Sequence, residues 1–313
     1  MNMKKTLSLF PLLVLGLTLA CGQSERTQVE SAGSDSTSAR SDRPLTIKGS
    51  DTMVILGQRF AEEYMKANPG SVIQVNGGGS GTGIAALING TVDLAQSSRP
   101  MKDAEKADVK SKRGADVVET PVALDAVGVF VHASNQVKQL SIEQLAGMFT
   151  GKIKNWKEVG GANAPIVLYG RENSSGTYDY FREHVLDKKD FASAVQTLQG
   201  TAAVINAISK DKNGVGYGGI AYARDVRALA VQKDASSPAV APTEATVLDN
   251  SYPISRKLFF YSLQNAPERV TRFVEWTLTP SGQELVTKVG YFPLRIEGAS
   301  AMSAPSRTET ATP

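Results

Sequence analysis

"VVETPVALDAVGVFVH", Val117 to His132, is an almost unbroken β-prone run, much longer than the roughly five or six residues of an average strand, with Pro121 inside it. A strand this long can leave one sheet region and enter another. A second extended run, "SYPISRKLFFYSL" (251–263), comes near the end of the chain. If the first run carries the backbone out of one lobe and the second brings it back, the body is two-lobed and hinged at two crossing strands. One continuous α/β domain is the alternative.

The pattern on either side of these runs alternates strands with helices. "PLTIKG" (44–49) reads as a strand. The next segment places Val54, Leu56, Phe60 and Tyr64 at helical spacing behind Ser50 or Asp51 as cap, and Asn68-Pro69-Gly70 stops it. "VIQVN" (72–76) is a strand, a glycine loop opens a helix near Thr82, "VDLAQ" (92–96) is a strand, and "PMKDAEKADVKSKRG" is a polar helix. A second unit runs from about 133 to 249, with helix "SIEQLAGMFTG", strand "PIVLYG", helices "SGTYDYFREHVL" and "TAAVINAISKD", and strand "GVGYGGIAYA". The final helices, "APERVTRFVEWTLTP" and "SGQELVTKVG", pack on the first lobe. The fold class is α/β, with ligand groups expected at the carboxyl ends of strands.

The ends are of a different kind. "MNMKKTLSLFPLLVLGLTLAC" sets Lys4 and Lys5 before an apolar run of about 14 residues, the layout of a secretory signal rather than a membrane span. It stops at Cys21, the single cysteine of the chain, which resembles the lipidated cysteine of a bacterial lipobox, with Thr18 where Leu is usual. A lone cysteine in an exported chain has no internal disulfide partner, and lipidation accounts for it. The Ser-rich, charged stretch from Gly22 to Arg43 reads as a tether, and 298–313 as a disordered tail. Between them about 255 residues suffice for two modest domains. The boundaries read as signal peptide 1–20, lipidated cysteine and tether 21–43, lobe I from 44–122 plus 255–297, and lobe II from 123–254.

Of 34 basic and 31 acidic side chains, two lysines belong to the signal, so the body is close to neutral. The basic residues are dispersed, which argues against nucleic acid as a partner.

Three loops share one pattern: a short strand, then small hydroxyl residues, then a helix. They are Gly49-Ser50-Asp51-Thr52, Gly79-Ser80-Gly81-Thr82-Gly83, and Arg171-Glu172-Asn173-Ser174-Ser175-Gly176-Thr177. A helix start presents unpaired N–H groups and a partial positive charge, so such loops suit an anion. Arg171 brings a fixed charge to the third loop, unless it is a surface arginine. Arg99, behind Ser97 and Ser98, faces a ligand or forms a structural salt bridge.

Other chemistries fit less well. A Walker A loop needs Lys where Ile84 stands. "GTGIAA" (81–86) meets the looser dinucleotide pattern, but Asp103, about 20 residues on, falls at a helix start. Gly78-x-Ser80-x-Thr82 lacks the last glycine of a nucleophile elbow, and neither His132 nor His184 sits beside a nucleophile. No paired His or Cys spacing suggests a metal, and no cofactor is expected.

Taken together, "GSDTM", "GGGSGTGIAALINGTVDLAQSSRPM", "RENSSGTYDYF", "GVGYGGIAY" and "SYPISRKLFFY" resemble, in order and over about 45–295, the substrate-binding lipoprotein of high-affinity bacterial phosphate ABC transporters. The resemblance implies a two-lobed periplasmic-binding-protein fold of type II and no catalytic activity. It also implies a lipid-anchored monomer in the periplasm or on the outer face of the cytoplasmic membrane, or at the outer membrane, that delivers inorganic phosphate to permease subunits. An adhesion or signalling lipoprotein, or a binder of another oxyanion, is the alternative use of such a body. Block by block, the resemblance implies phosphate contacts from Ser50, Asp51, Thr52, Ser80, Arg171, Ser175, Gly176 and Thr177, with Ser98 and Arg99 at the third strand end. Some relatives carry there an aspartate that accepts the proton of hydrogen phosphate. Ser98-Arg99 replaces it here, which leaves Asp51 as the candidate acceptor, or as a helix cap.

Overall fold

A computed structural model describes residues 43–295. The first part of the chain forms β1 (Leu45–Gly49), α1 (Val54–Ala67), β2 (Ile73–Asn76), α2 (Ser80–Ile88), β3 (Leu94–Ser97), α3 (Asp103–Arg113) and β4 (Val117–His132). The middle forms β5 (Gln139–Ser141), α4 (Ile142–Phe149), β6 (Val167–Arg171), α5 (Gly176–His184), β7 (Gln196–Leu198), α6 (Thr201–Lys210) and β8 (Gly214–Gly219). Four short elements follow: β9 (Val226–Ala228), β10 (Ala230–Gln232), β11 (Ala239–Val240) and α7 (Glu244–Leu248). The chain returns through β12 (Ser255–Leu263) to α8 (Glu268–Thr277) and α9 (Pro280–Val289).

The long run at 117–132 is one strand of 16 residues with two sets of partners. Val117–Ala126 pairs antiparallel with β12, whereas Val127–Val131 pairs with β8 and Phe130–His132 with β9. The resulting sheet has the order β2-β1-β3-β12-β4-β8-β6-β7. Its two ends are parallel, β1 with β2 and β3, and β6 with β7 and β8. The antiparallel pair β4 and β12 joins them. A proline removes a ladder donor and is tolerated in a strand at a bulge. Pro121 obeys this rule: the register steps from Leu258 opposite Ala123 to Phe259 opposite Pro121, so Val122 faces no residue. Gln283 of α9 donates to the Val122 carbonyl at 3.0 Å, which satisfies one group the bulge frees.

Burial divides along the same strands. One core gathers Leu45, Ile47, Phe60, Val122, Ala123, Leu258, Phe260 and Phe273. Another runs from Ala126 through Phe149, Trp156, Phe181 and Tyr217 to Ile254, with the Phe181 and Tyr217 rings stacked at 3.9 Å. The change of core therefore falls between Ala123 and Ala126 on β4, and between Ile254, just before β12, and Leu258 on it.

Local details depart from the sequence expectation in two places. A single 3-10 turn, Asp51–Met53, precedes α1, and the Ser50 side chain makes no capping hydrogen bond. The second helix opens at Ser80 rather than near Thr82, behind Gly79 at φ 93°.

Gly83 lies where α2 crosses β1, and a Cβ there would stand 2.3 Å from the Lys48 carbonyl oxygen and 2.5 Å from Gly49 Cα. Alanine gains about 1 kcal/mol of helix propensity over glycine, but overpacking against backbone costs about 1–3 kcal/mol. Gly83→Ala is therefore expected to lower the urea midpoint at unchanged slope. A raised midpoint would show that helix propensity governs this site.

Candidate anion-binding site

The three hydroxyl loops converge. Thr52, after β1, brings its Oγ1 to 2.9 Å from Thr177 Oγ1 in the first turn of α5. Ser80, the first residue of α2, lies 3.4 Å from Ser98 Oγ at the end of β3 and accepts the Ser98 amide at 3.1 Å. A Cβ on Gly176 would sit 2.3 Å from Ser80 Oγ and 2.8 Å from Ser98 Oγ, so only glycine lets the start of α5 approach these serines. Ser50, Thr52, Ser80, Ser98, Ser175 and Thr177 are all buried.

The glycine loop has a more specific purpose than letting a ligand approach backbone. Gly81 N donates to the Ser174 carbonyl at 2.9 Å, and Ser174 Oγ donates to the Gly78 carbonyl at 3.2 Å. A Cβ on Gly79 would stand 2.4 Å from the Ser174 carbonyl oxygen. The missing side chains admit the opposing loop, and that contact brings the serines of α2 to α5.

Proton accounting shows what these hydroxyls can offer. Ser175 Oγ accepts the amides of Thr177 and Tyr178 at 3.2 and 3.3 Å, and Thr177 Oγ1 accepts from Arg256 Nη2 at 3.0 Å. A hydroxyl filled from behind has its own proton left to give. Ser80 is filled in the same way by the Ser98 amide. Ser80, Ser175 and Thr177 thus have backed oxygens beside the start of α5, with Ser98 and Thr52 hydrogen-bonded to Ser80 and Thr177, and the helix dipole also favours negative charge.

The charges are arranged differently from the sequence expectation. Arg171 is buried, but its fork is already engaged: Nε and Nη2 donate to Glu172, Nη1 to Thr201 Oγ1 at 2.7 Å, and Nη2 to Asp51 Oδ2 at 3.1 Å. It is bracketed by two carboxylates rather than arriving as a free cation. Asp51 is committed as well, since Oδ1 accepts the Gly78 amide at 2.9 Å. Each Asp51 oxygen thus holds one donor and keeps a second lone pair.

Arg99 stands apart from the hydroxyl cluster. It donates to Glu105 at 2.7 and 2.8 Å and to the Pro100 carbonyl, and its Nε lies 2.9 Å from Asp179 without hydrogen-bond alignment. Lys102 reaches the same aspartate at 3.1 Å. Around the loops, Arg99, Lys102, Arg171 and Arg256 are paired with Glu105, Asp179, Asp51, Glu172 and Asp125. Such a lining has no excess positive charge, so an anion there rests on directed hydrogen bonds.

Asp125 and Arg256 are residues that pattern reasoning missed. They face each other in register on β4 and β12, and Asp125 Oδ2 accepts from Arg256 Nε and Nη2 at 3.0 and 2.8 Å. Burial pushes the Asp125 carboxyl up, against the pull of Arg256 and of the Ile220 amide. The available signal was an acidic residue mid-way along one crossing strand, Asp125, and the basic Arg256-Lys257 at the head of the other. Tyr222, which donates to the Asp51 carbonyl at 2.7 Å, was also missed. The histidines lie elsewhere. His184 stacks on Tyr180, and His132 does sit beside a hydroxyl, Ser134 Oγ at 2.7 Å, but on an exposed turn. Among the described residues no group of three or more His, Cys, Asp or Glu could hold a metal ion.

Residues 30–281 match the PBP superfamily domain. The phosphate-binding protein PstS of Pseudomonas aeruginosa is 36% identical over 268 residues, covering 80% of this chain and 83% of that protein. The chain belongs to the PstS family of the PBP superfamily. PstS of Bacillus subtilis is 31% identical over 292 residues, covering 93% of this chain and 94% of its own. A phosphate ABC transporter substrate-binding protein from Clostridium perfringens, crystallised with bound phosphate, superposes with a TM-score of 0.74 at 30% identity, over 81% of this chain and all of that one. The curled sheet with its two crossing strands is accordingly the type II periplasmic-binding-protein fold.

Two carboxylates of this PstS-family chain carry a pH prediction. Burial raises Glu172 and Glu105, but hydrogen bonds and charge from Arg171 and Arg99 more than offset it and hold both below the usual range. Their folded values lie under the unfolded one, near about 4.3, so their stabilisation is complete above that pH and fades as pH falls through the folded values. Glu105→Gln is expected to flatten the loss of urea midpoint between about pH 5 and 3. A variant with the parent's acid slope would contradict this.

Proposed function

We propose that this chain binds inorganic phosphate outside the cytoplasmic membrane and hands it to an ABC permease. The observation that carries this reading is the buried set of oriented hydroxyl donors, Thr52, Ser80, Ser98, Ser175 and Thr177, gathered at the start of α5 with Gly176 as the close-approach point. The PstS relatives and the phosphate-bound Clostridium structure carry the same function in their names.

The lobes divide as 44–122 plus 255–297 and 123–254, in keeping with the change of cores on β4 and β12, although 296 and 297 lie outside the described residues. Ser50, Thr52, Ser80 and Ser98 then belong to one lobe, and Arg171, Ser175, Gly176 and Thr177 to the other. Both sets grip one anion only with the lobes shut, and the shut form is what a permease recognises. Arg171 contributes by holding Asp51 to Glu172 and Thr201 across the cleft, and Arg99 by joining Asp179 of α5 to Glu105. The protein acts as a monomer.

Affinity is expected at micromolar Kd or tighter, about −8 kcal/mol or better. Calorimetry of residues 43–295 with phosphate, arsenate and sulfate tests the reading. A phosphate Kd weaker than about 1 mM would overturn it. Indifference to sulfate would place a proton acceptor in the site, with Asp51 the candidate, and sulfate competing as strongly as phosphate would exclude one. Arg171→Ala leaves Asp51 and Glu172 uncompensated beside the anion and is expected to weaken phosphate by at least about 2 kcal/mol. Unchanged affinity would remove Arg171 from the site.

The chain is held at the membrane through lipid on Cys21, a position outside the described residues. No described helix is long and apolar enough to cross a membrane. Mass spectrometry of the N-terminal peptide from membranes should find Cys21 acylated, and an unmodified Cys21 in a membrane-released protein would contradict the anchor.

A further inference from the structure

Arg256 is buried at the point where the two crossing strands exchange one core for the other. Asp125 is its register partner and binds its Nε and Nη2. Tyr180 covers the guanidinium at 5.4 Å, and its own hydroxyl is tied to the Ser255 carbonyl at 2.6 Å. The group is therefore fixed on two sides. On a third, Nη2 donates to Thr177 Oγ1 at 3.0 Å and reaches Thr52 Oγ1 at 3.5 Å. Those two hydroxyls come from the opposing loops and lie 2.9 Å apart. Nη1 is buried with no hydrogen-bond partner among the described residues.

We infer that Arg256 is the positioning cation of the phosphate site, set on the hinge by Asp125. This rests on the phosphate-binding reading above. One Nη2 proton goes to Asp125 and the other to a lone pair of Thr177, which leaves the Thr177 proton to turn toward the ligand. Without it, nothing holds the Thr177 proton toward the ligand rather than toward Thr52 Oγ1, 2.9 Å away. Asp125 cancels most of the long-range charge of Arg256 but leaves its short-range donors, which keep their strength away from water. The planar fork matters because it serves Asp125 and the threonines at once, which a lysine ammonium on a flexible stem does not do in a fixed geometry.

Removing one member of a buried pair alone risks the fold, whereas replacing both by apolar residues of similar volume is often neutral or stabilising. The decisive variant is therefore Asp125→Leu with Arg256→Met, measured beside the parent, Arg256→Lys and Thr177→Val. The parent must bind phosphate first; if it does not, the functional reading fails and not this inference alone. The double variant is expected to keep its urea midpoint while phosphate affinity falls at least about 30-fold, with Arg256→Lys also impaired. Adding Thr177→Val to it should cost less than the product of the separate losses, because Arg256 acts through that hydroxyl; a purely structural pair gives independent losses. A folded double variant that binds phosphate within about threefold of the parent, or strictly multiplicative losses, would overturn the assignment.

Discussion

Asp125 and Arg256 stand opposite one another on β4 and β12, both withdrawn from water, at the step where the two cores meet. An uncompensated charge at that depth would cost about 3–5 kcal/mol, so each residue requires the other. The pair also fixes the register of the crossing strands, because a slip of one strand by one residue would put Arg256 and Asp125 on opposite faces of the sheet. Much else follows from that registration. The bulge at Pro121 lies on one side of it, the floor beneath Thr52 and Thr177 on the other.

The cleft loops add a second constraint, that of closeness. Gly79 meets Ser174, and Gly176 meets Ser80 and Ser98, at separations that exclude any side chain. Polar groups brought this near need somewhere to place their protons. The backing amides and the Arg256 nitrogen decide the direction, leaving the hydroxyls as donors. The carboxylates around them are paired with arginine or lysine, so the cleft does not attract anions by bulk charge. Recognition then depends on geometry, which depends on closure, and closure turns about the strands that the buried pair registers.

The sequence made the large features legible because they are local. Strand and helix periodicities located β1 through α3, and the excess length of 117–132 announced the crossing. The strands β5, β7 and β9 to β11, each of two or three residues, left no usable period and depend on partners far along the chain. The same contrast holds in the site. The hydroxyl loops were visible as helix starts, whereas the partners of Arg171 and Arg99 were not, because Asp51, Thr201, Glu105 and Asp179 reach them through tertiary contact or through a helix turn. Arg256 was hidden beside Lys257 at the head of an apolar run, where the two charges read as an interruption until Asp125 appears on the neighbouring strand.

A crystal structure of residues 43–295 grown with phosphate tests the central claim most directly. The account predicts one phosphate between the lobes, with its oxygens bound by the hydroxyls of Thr52, Ser80 and Thr177 and by the first amides of α5. Arg256 should remain on Asp125 behind the threonines. A phosphate held instead by Arg99 and Lys102 at the cleft rim, or a bound form in which Thr52 and Thr177 do not reach the same anion, would contradict it.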